Sequence, residues 1–548
     1  MKKRLKKLLS LALIATCFLS CFACNSGGGT SDGRTKFVVF SYDGGYGTQW
    51  LRNAEAVYEK THTDVDIEVQ PEKTQTGDLS AAQINNSAAK LFFMENVSYA
   101  KLIAEDVVGD MTDILTEKNP YDGKKIIDKY TDQQREYYKV NDAYYGIPHY
   151  AGNNGFIYNK DFFDENLWYF RKNKPTGDDV ITDDYFVTSA TEERSYGPNG
   201  KTGIIDGVDY SFDDGLPATY KEFLILLDYI RSFNIQKLKP ITVTGGNREQ
   251  YVGLLYNALV ADYEGRDQAL INYTFEGVAN DLGRIVDGKF IKDEQPTTVT
   301  HENGYEVTRQ AGRYYALEFL SEIFRNTANY DVQAIRSGSD SNIVAQTRFA
   351  RGQAAILIEG VWWESEAQND VFGALGKSKA DYNFAWMPLP KADESKIGTE
   401  TITDNIYSLC FMKKKLSERE REIAKDFVRF LYSDEMLSAF TRDTGTLKAL
   451  EYEVKDADYS TLTPYGKSIC NHKKTSQIVY PFDNNAIFRN NQADFTGRKY
   501  YATSYKSYQY VSKMLIDDFI SNGIVPDAGA YFGGMYDYYK NKWSSYNK

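Results

Sequence analysis

Three short stretches place aromatic rings beside glycines and polar side chains: Tyr42-Asp43-Gly44-Gly45-Tyr46-Gly47-Thr48-Gln49-Trp50, Thr244-Gly245-Gly246-Asn247-Arg248-Glu249-Gln250-Tyr251 and Gly360-Val361-Trp362-Trp363. A flat ring stacks on the apolar face of a sugar, while carboxylate, amide and guanidinium groups fork onto its hydroxyls. This is the chemistry of reversible capture. The motifs of bond-breaking are missing: there is no Gly-x-Ser-x-Gly elbow and no His-Glu-x-x-His helix. The histidines, His62, His149, His301 and His472, form no metal-spaced pair. Seventy-six acidic residues leave a hydrolytic carboxylate pair open on counting alone. Asp206, Asp209, Asp213 and Asp214 crowd near Gly207 and Gly215, but their spacing is not that of an EF-hand, and a solvated acidic loop is the plainer reading than a calcium site. No cofactor and no metal are expected.

The candidate contacts each carry a rival reading. Trp362 follows the apolar run Ala355-Ile356-Leu357-Ile358 and Gly360, so a strand end would offer its ring to a ligand; otherwise it packs at a lobe surface. Trp363 beside it should point elsewhere. Tyr46 could stack and Asp43 could accept from two hydroxyls, although Asp beside Gly is also ordinary turn chemistry. Trp50 lies at helical spacing with Leu51, Ala54, Val57 and Tyr58, which is equally a core signal. Tyr150, Glu95, Asn247, Arg248, Tyr251 and Asn405 complete the set of ligand-binding candidates.

The elements that must position these residues can be read around them. Phe37-Val38-Val39-Phe40 reads as a buried strand, residues 50–58 as a helix, and Val65, Ile67 and Val69 alternate with acids as a second strand. Strand, helix and strand make a βαβ unit with parallel strands, and ligands of such sheets bind beyond the strands' carboxyl ends. The loop at 42–47 is placed there. A helix is expected after Pro217, with Phe223, Leu224, Leu227 and Ile230 on one face. Ser417 with Glu420 makes a capping box opening another. The polar, Asp- and Gly-rich stretch 168–216 reads as a surface insertion.

Composition limits the partners. The net charge is −12, and removing the five basic residues of the leader takes it to −17, a surface that repels phosphate backbones, so no nucleic acid is expected. Lys2, Lys3, Arg4, Lys6 and Lys7 precede a nearly continuous apolar run from Leu8 to Ala23, the layout of a signal peptide and too short for a permanent span. A small residue directly precedes both Cys21 and Cys24. Cys24 is preferred for lipidation because Asn25 to Gly33 follows as a flexible linker. A plain secretory signal is the alternative. Cys410 and Cys470 could form one disulfide or remain two free thiols. Forty-three tyrosines suit sugar stacking, and equally fit an AT-rich coding bias.

Five blocks in order resemble a known family. They are the opening strand, glycine loop and helix ending Val57-Tyr58-Glu59-Lys60-Thr61; Tyr145-Gly146-Ile147-Pro148 with Tyr158-Asn159-Lys160-Asp161; Leu216-Pro217-Ala218-Thr219-Tyr220-Lys221-Glu222-Phe223; Phe349-Ala350-Arg351-Gly352-Gln353-Ala354-Ala355 with Gly360-Val361-Trp362; and Phe384-Ala385-Trp386-Met387-Pro388-Leu389-Pro390 with the Ser417 helix and Gly445. The sequence resembles the extracellular solute-binding proteins of ABC importers, in the carbohydrate-binding class that includes maltose-binding protein. Three features depart from that pattern: Glu95 stands near where the family carries an acid before its third strand, Tyr220 replaces a Trp, and 168–216 is long.

The resemblance implies a two-lobed α/β fold of the type II periplasmic-binding kind. Each lobe would hold a mainly parallel sheet flanked by helices, with strands crossing between lobes and a cleft that closes on its ligand by hinge motion. The expected division is a signal peptide at 1–23, a linker at 24–35, an N-terminal lobe of 36–149 and 402–465, and a C-terminal lobe of 150–401 and 466–548. The implied partners are a carbohydrate, the importer's permease subunits and, through the lipid only, the outer face of the cell membrane; a monomer is expected. Two rival functions use similar features: a ligand-sensing partner of a membrane receptor, and an extracellular glycoside hydrolase.

Overall fold

The computed structural model describes residues 33–73, 79–95, 97–175, 182–336, 341–404, 408–496, 515–520 and 528–546. The leader, the candidate lipidation cysteines Cys21 and Cys24, and Asn405 lie outside the described residues.

The chain opens with strand β1 (Thr35–Tyr42), helix α1 (Gln49–Tyr58) and strand β2 (Val65–Glu72), the βαβ unit expected from the sequence. β1 and β2 are parallel, with Thr35 opposite Val65 and Tyr42 opposite Glu72. The alternation in β2 is real: Val65, Ile67 and Val69 are buried while Asp66 and Glu68 are half-exposed. Strand β3 (Leu91–Glu95) joins parallel to β1 and is buried throughout, which explains why Leu91-Phe92-Phe93-Met94 is an unbroken apolar run. After β4 (Ile147–Pro148) the chain leaves this lobe.

The second sheet is built from β5 (Asn154–Asn159), β6 (Lys239–Val243), β7 (Ala354–Gly360) and β8 (Phe384–Met387), in the order β6-β7-β5-β8. Helix α2 (Tyr220–Ser232), capped by the Thr219 hydroxyl, packs Phe223 against Phe156 of β5 with ring centroids 4.5 Å apart. Helices α3 (Arg248–Glu264) and α4 (Ala311–Arg325) pack side by side, α3 lying against β5 and β7, while α5 (Ser341–Ala350) leads into β7. A short helix, α6 (Trp363–Ala367), follows β7. The chain then passes through β9 (Thr401–Thr403) and re-enters the first sheet as β10 (Ser408–Met412), giving the order β2-β1-β3-β10-β4. Helices α7 (Glu418–Leu431) and α8 (Asp434–Thr444) cover that lobe, and α9 (Pro464–Thr475) packs on β8.

Parallel pairing is found for β1 with β2 and β3 and for β6 with β7; β5, β8 and β10 pair antiparallel. The antiparallel strands β5 and β10 are those that enter a sheet directly from a lobe crossing, and so start at the cleft instead of ending there.

Three crossing segments lie together. His149 N–H donates to Ser408 O (3.1 Å), Ala151 N–H to Leu447 O (3.1 Å) and Gly152 N–H to the buried Asp404 carboxylate (2.8 Å). Between them is a cavity of about 30 Å³ lined by Ala151, Leu447 and His472 among others, room for water but not for a sugar ring.

The stretch 168–216 departs from a purely surface insertion. Trp168, Tyr169, Phe170, Phe186 and Leu216 are buried, and Phe186 stacks on Tyr229 of α2 at 3.8 Å. Its few aromatics suffice to pin a polar segment down. Asp213 is fully buried and accepts from Asn199 N–H (3.1 Å), while Asp209 accepts from Ser211 N–H (2.9 Å). Their oxygens serve the loop's own donors, and among the described residues no acidic group is arranged to hold a metal.

Cys410 in β10 and Cys470 in α9 are separate, buried free thiols. The capping box at α7 forms as expected: Ser417 Oγ accepts from Glu420 N–H, and Glu420 Oε2 accepts from Ser417 N–H (2.8 Å). Ser417→Ala should cost about 1 kcal/mol in a urea titration, the usual worth of an N-cap; a loss within error would show that tertiary packing alone fixes this helix start.

Candidate functional site

Both lobes send the carboxyl ends of parallel strands to the same place. From the N-terminal lobe, β1 runs into the loop 43–47, where Gly45 and Gly47 have φ of +53° and +64°. Gly45 lies between the lobes: a Cβ there would make ordinary contact, 3.5 Å from Glu95 Oε1 and 3.5 Å from Trp362 Cβ. Glu95, the last residue of β3, is 8% exposed and accepts from the Tyr150 hydroxyl. Tyr46 packs on Tyr150 with centroids 4.1 Å apart and donates to Ala151 O. Tyr150 is therefore held from two sides just after the first crossing.

From the C-terminal lobe, β7 ends at Glu359-Gly360 and turns into Val361-Trp362. The Trp362 ring lies over the Gly360 backbone so closely that a Cβ there would meet Cη2 at 2.2 Å, so only glycine permits this ring position. Tyr251, from the first turn of α3, comes to 6.2 Å from the Trp362 ring, and burial, with the Glu359 carboxylate next, raises its phenol well above the ordinary tyrosine range. Gln346 of α5 gives one amide nitrogen to two carboxylates, Glu359 Oε2 at 3.2 Å and Glu366 Oε2 at 2.8 Å. Glu359 also accepts from Gly360 N–H at 3.0 Å.

The lobes meet across this group: Ser365 Oγ donates to Tyr46 O at 2.9 Å. The described arrangement is thus closed, with aromatic rings and carboxylates of both lobes facing each other. Burial pushes the Glu95 carboxyl up to about 7. Burial raises Glu359 well above the usual carboxylate range, helped by the charge of Glu366; Glu366 is raised by burial and then by Asp370.

A sequence profile of bacterial extracellular solute-binding proteins matches residues 44–281. The resemblance to that family stands. A search of the curated proteins finds no sequence match to this chain. Among solved structures, a chitin oligosaccharide binding protein superposes with a TM-score of 0.53 at 14% identity, covering 93% of this chain and 99% of the other. An ABC substrate-binding protein from Listeria monocytogenes in complex with cycloalternan gives a TM-score of 0.49 at 14% identity over 93% and 99%. At such identities the first of these establishes the fold: the chain has the two-lobed type II periplasmic-binding architecture. No described helix is long and apolar enough to cross a membrane.

Of the residues expected to line the cleft of this solute-binding fold, Tyr46, Glu95, Tyr150, Tyr251 and Trp362 are brought together. Others go elsewhere. Trp363 is 0% exposed, packed edge-on against Phe349 (5.4 Å), Phe372 (5.5 Å) and Phe384 (5.2 Å). It begins α6, so it turns into the core as Trp362 faces the opposite lobe. Trp50 is core as well, with edge contacts to Phe93 (5.5 Å) and Phe440 (5.1 Å), and its indole N–H closes the loop on Gly47 O (3.1 Å). Asp43 does turn chemistry, accepting from Thr48 Oγ1 at 3.0 Å. Asn247 reaches Asn342 (3.3 Å) and Arg248 donates to Gly245 O (2.6 Å) and Ile335 O (3.3 Å), which braces the start of α3.

Three polar residues of the site were missed. Glu359 was legible as an acid inside an otherwise apolar strand. Glu366 and Asn154 carry no such local signal. Asn154 pairs with Gly360 across β5 and β7, is 2% exposed, and among the described residues neither its amide nitrogen nor its oxygen has a hydrogen-bond partner.

Proposed function

We propose that this protein captures a carbohydrate, an oligosaccharide by preference, between its two lobes and delivers it to an ABC importer, acting as a binding protein and not as an enzyme. The observation that carries this reading is the pairing of aromatic faces with polar groups at facing strand ends: Tyr46, Tyr150 and Glu95 from one side, Trp362, Tyr251 and Glu359 from the other. Rings stack on a pyranose face and carboxylates accept from its hydroxyls. A chitin oligosaccharide binding protein shares this fold, which supports the same reading. The lobes in this reading are 36–149 with 402–465, and 150–401 with 466–548. The leader would export the chain, and a lipid on Cys24, or on Cys21, would hold a monomer at the outer face of the cell membrane within reach of the permease.

A thermal-shift screen of the mature chain against oligosaccharides tests this, because a ligand that binds only the folded state raises the melting temperature; at a hundredfold excess over Kd the gain is about 2.7 kcal/mol. The expected result is a clear upward shift with at least one sugar, and prolonged incubation with that sugar should release nothing shorter. Turnover would overturn the binding-protein reading, and so would a screen in which amino acids or peptides shift the protein and sugars do not.

A further inference from the structure

Lys391, shortly past β8, and Asp262, near the end of α3, form the most buried ion pair among the described residues, with side chains 1% and 6% exposed. Lys391 Nζ lies 2.8 Å from Asp262 Oδ1 and 2.8 Å from Oδ2. The carboxyl carbon between those oxygens is therefore about 3 Å from the nitrogen, the separation from which addition to a carbonyl starts. Both partners are held in place. The Lys391 N–H donates to Ala218 O and its carbonyl accepts from Tyr220 N–H, each at 2.8 Å, while Thr401 N–H of β9 donates to Asp262 Oδ1 at 3.1 Å.

Three more groups face the pair. Glu400, buried just before Thr401, is close enough for its charge to act on Asp262 and to feel Lys391. Its Oε2 accepts from Thr475 Oγ1 at 2.7 Å, while its Oε1 is buried with no hydrogen-bond partner among the described residues. His472 of α9, 3.8 Å from that Oε1, has its pKa pushed down to about 3 by burial and then by the Lys391 charge, so it stands there as a neutral imidazole. Tyr220 of α2 faces Asp262 as a neutral phenol.

An ordinary buried ion pair balances one cation against one anion and gains little over apolar packing once desolvation is counted. Here one amine faces two carboxyls. Burial raises both Asp262 and Glu400 above the ordinary carboxylate value, against the pull of Lys391. A site closed to water favours amine and acid over ammonium and carboxylate. In that form the atoms are set for acyl transfer. A nitrogen lone pair sits beside a carboxyl carbon, a backbone N–H waits on the oxygen where charge develops, and a second carboxyl stands by to move a proton.

We propose that Lys391 and Asp262 join in an intramolecular amide bond, with Glu400 carrying the proton. A proton passes from Lys391 to Asp262 Oδ2. The Nζ lone pair then bonds to Asp262 Cγ, and Oδ1, held by Thr401 N–H, takes the developing charge. Glu400 moves a proton from the nitrogen to the Oδ2 hydroxyl, the bond from Cγ to Oδ2 breaks and one water leaves. One C–N bond replaces one C–O bond; nothing is oxidised or reduced, and no co-reactant is consumed. Burial then shields the amide from hydrolysis. The bond spans a sequence separation of 129 residues, in a body whose described cysteines are both free thiols. It fastens the end of α3 to the segment after β8, and it is independent of what the cleft binds.

The experiment is mass spectrometry of the mature chain, produced without its leader and measured under denaturing conditions. The expected mass is one water, about 18 Da, below that of the sequence. Trypsin should release a branched peptide joining residues 249–266 to residues 380–396, uncut after Lys391. Lys391→Met should restore the full mass and lower the urea midpoint. Glu400→Gln keeps both partners and should leave most of the freshly purified chain at full mass, closing the bond at least tenfold more slowly on incubation. A wild-type chain of full mass, cut after Lys391 into linear peptides, overturns the proposal and leaves a buried ion pair. So does a water loss without the branched peptide. Both results are read on the wild type and hold even if a variant folds poorly. A bond that closes as fast in Glu400→Gln as in the wild type overturns the assignment of Glu400.

Discussion

Replacing Trp362 with alanine should weaken binding of the sugar found in the thermal-shift screen by about 30-fold or more, the loss of about 2 kcal/mol expected when a central aromatic anchor is truncated. The ring is only 7% exposed in the closed arrangement, lies on Gly360 and borders both Gly45 of the opposite lobe and Tyr251. It therefore contributes to closure and, in the proposed function, to the ligand face. Its neighbour supplies the control. Trp363→Ala removes a ring wholly inside the core and should cost about 3–5 kcal/mol of stability, yet any folded fraction should bind with nearly unchanged affinity. Calorimetry on both variants, with unfolding titrations alongside, separates the two roles. Unchanged affinity in Trp362→Ala would remove that ring from the site.

Replacing Lys448 with methionine should stabilise the protein by about 3 kcal/mol at pH 7. Lys448 is 0% exposed and has no carboxylate partner among the described residues; its Nζ lies 2.9 Å from His149 Nδ1 and 4.4 and 4.2 Å from the Trp50 and Phe440 ring centroids. Burial lowers its pKa from 10.5 to about 7. At 1.36 kcal/mol per pH unit, that displacement costs about 5 kcal/mol of stability when the unfolded chain is protonated. The aromatic faces return about 1 kcal/mol, and His149 losing its partner takes back about as much of the mutant's gain. The sign is fixed by linkage. Between pH 7 and 10.5 the unfolded chain holds a proton that the folded chain does not, so the wild type gains stability as pH rises through that window. The advantage of Lys448→Met should be full at and below pH 7 and disappear by about pH 10.5. Urea titrations at three pH values would show it; an advantage that does not change with pH would mean that the lysine is not being discharged by burial.

The local signals in the sequence translated well. Period-two alternation gave β2, the Ser417 and Glu420 pair gave the start of α7, and the run Ala355-Ile356-Leu357-Ile358 with Gly360 located the strand end that carries Trp362. Choosing between adjacent aromatics was beyond such signals. Trp362 and Trp363 share composition and neighbours, and only the onset of α6 turns one toward the opposite lobe and the other into a nest of phenylalanines. Trp50 was ambiguous for the same reason, because helical spacing serves core and ligand faces alike. Asn154 acquires meaning only through its pairing with Gly360, some two hundred residues on, and Glu366 only when Gln346 bridges it to Glu359. The aromatics of 168–216 were diluted by polar neighbours, although a few rings against α2 are enough to anchor the whole stretch.

The direction of β1 has a mechanical consequence. The strand starts at Thr35 and delivers Tyr42 to the cleft seven residues later, roughly 23 Å away at about 3.3 Å per residue. A leash of the proposed kind therefore grips the stator of this device at the end remote from its jaws. Tension or drag from the membrane acts along the fixed lobe, leaving the rotor, and the three short crossings on which it turns, unloaded.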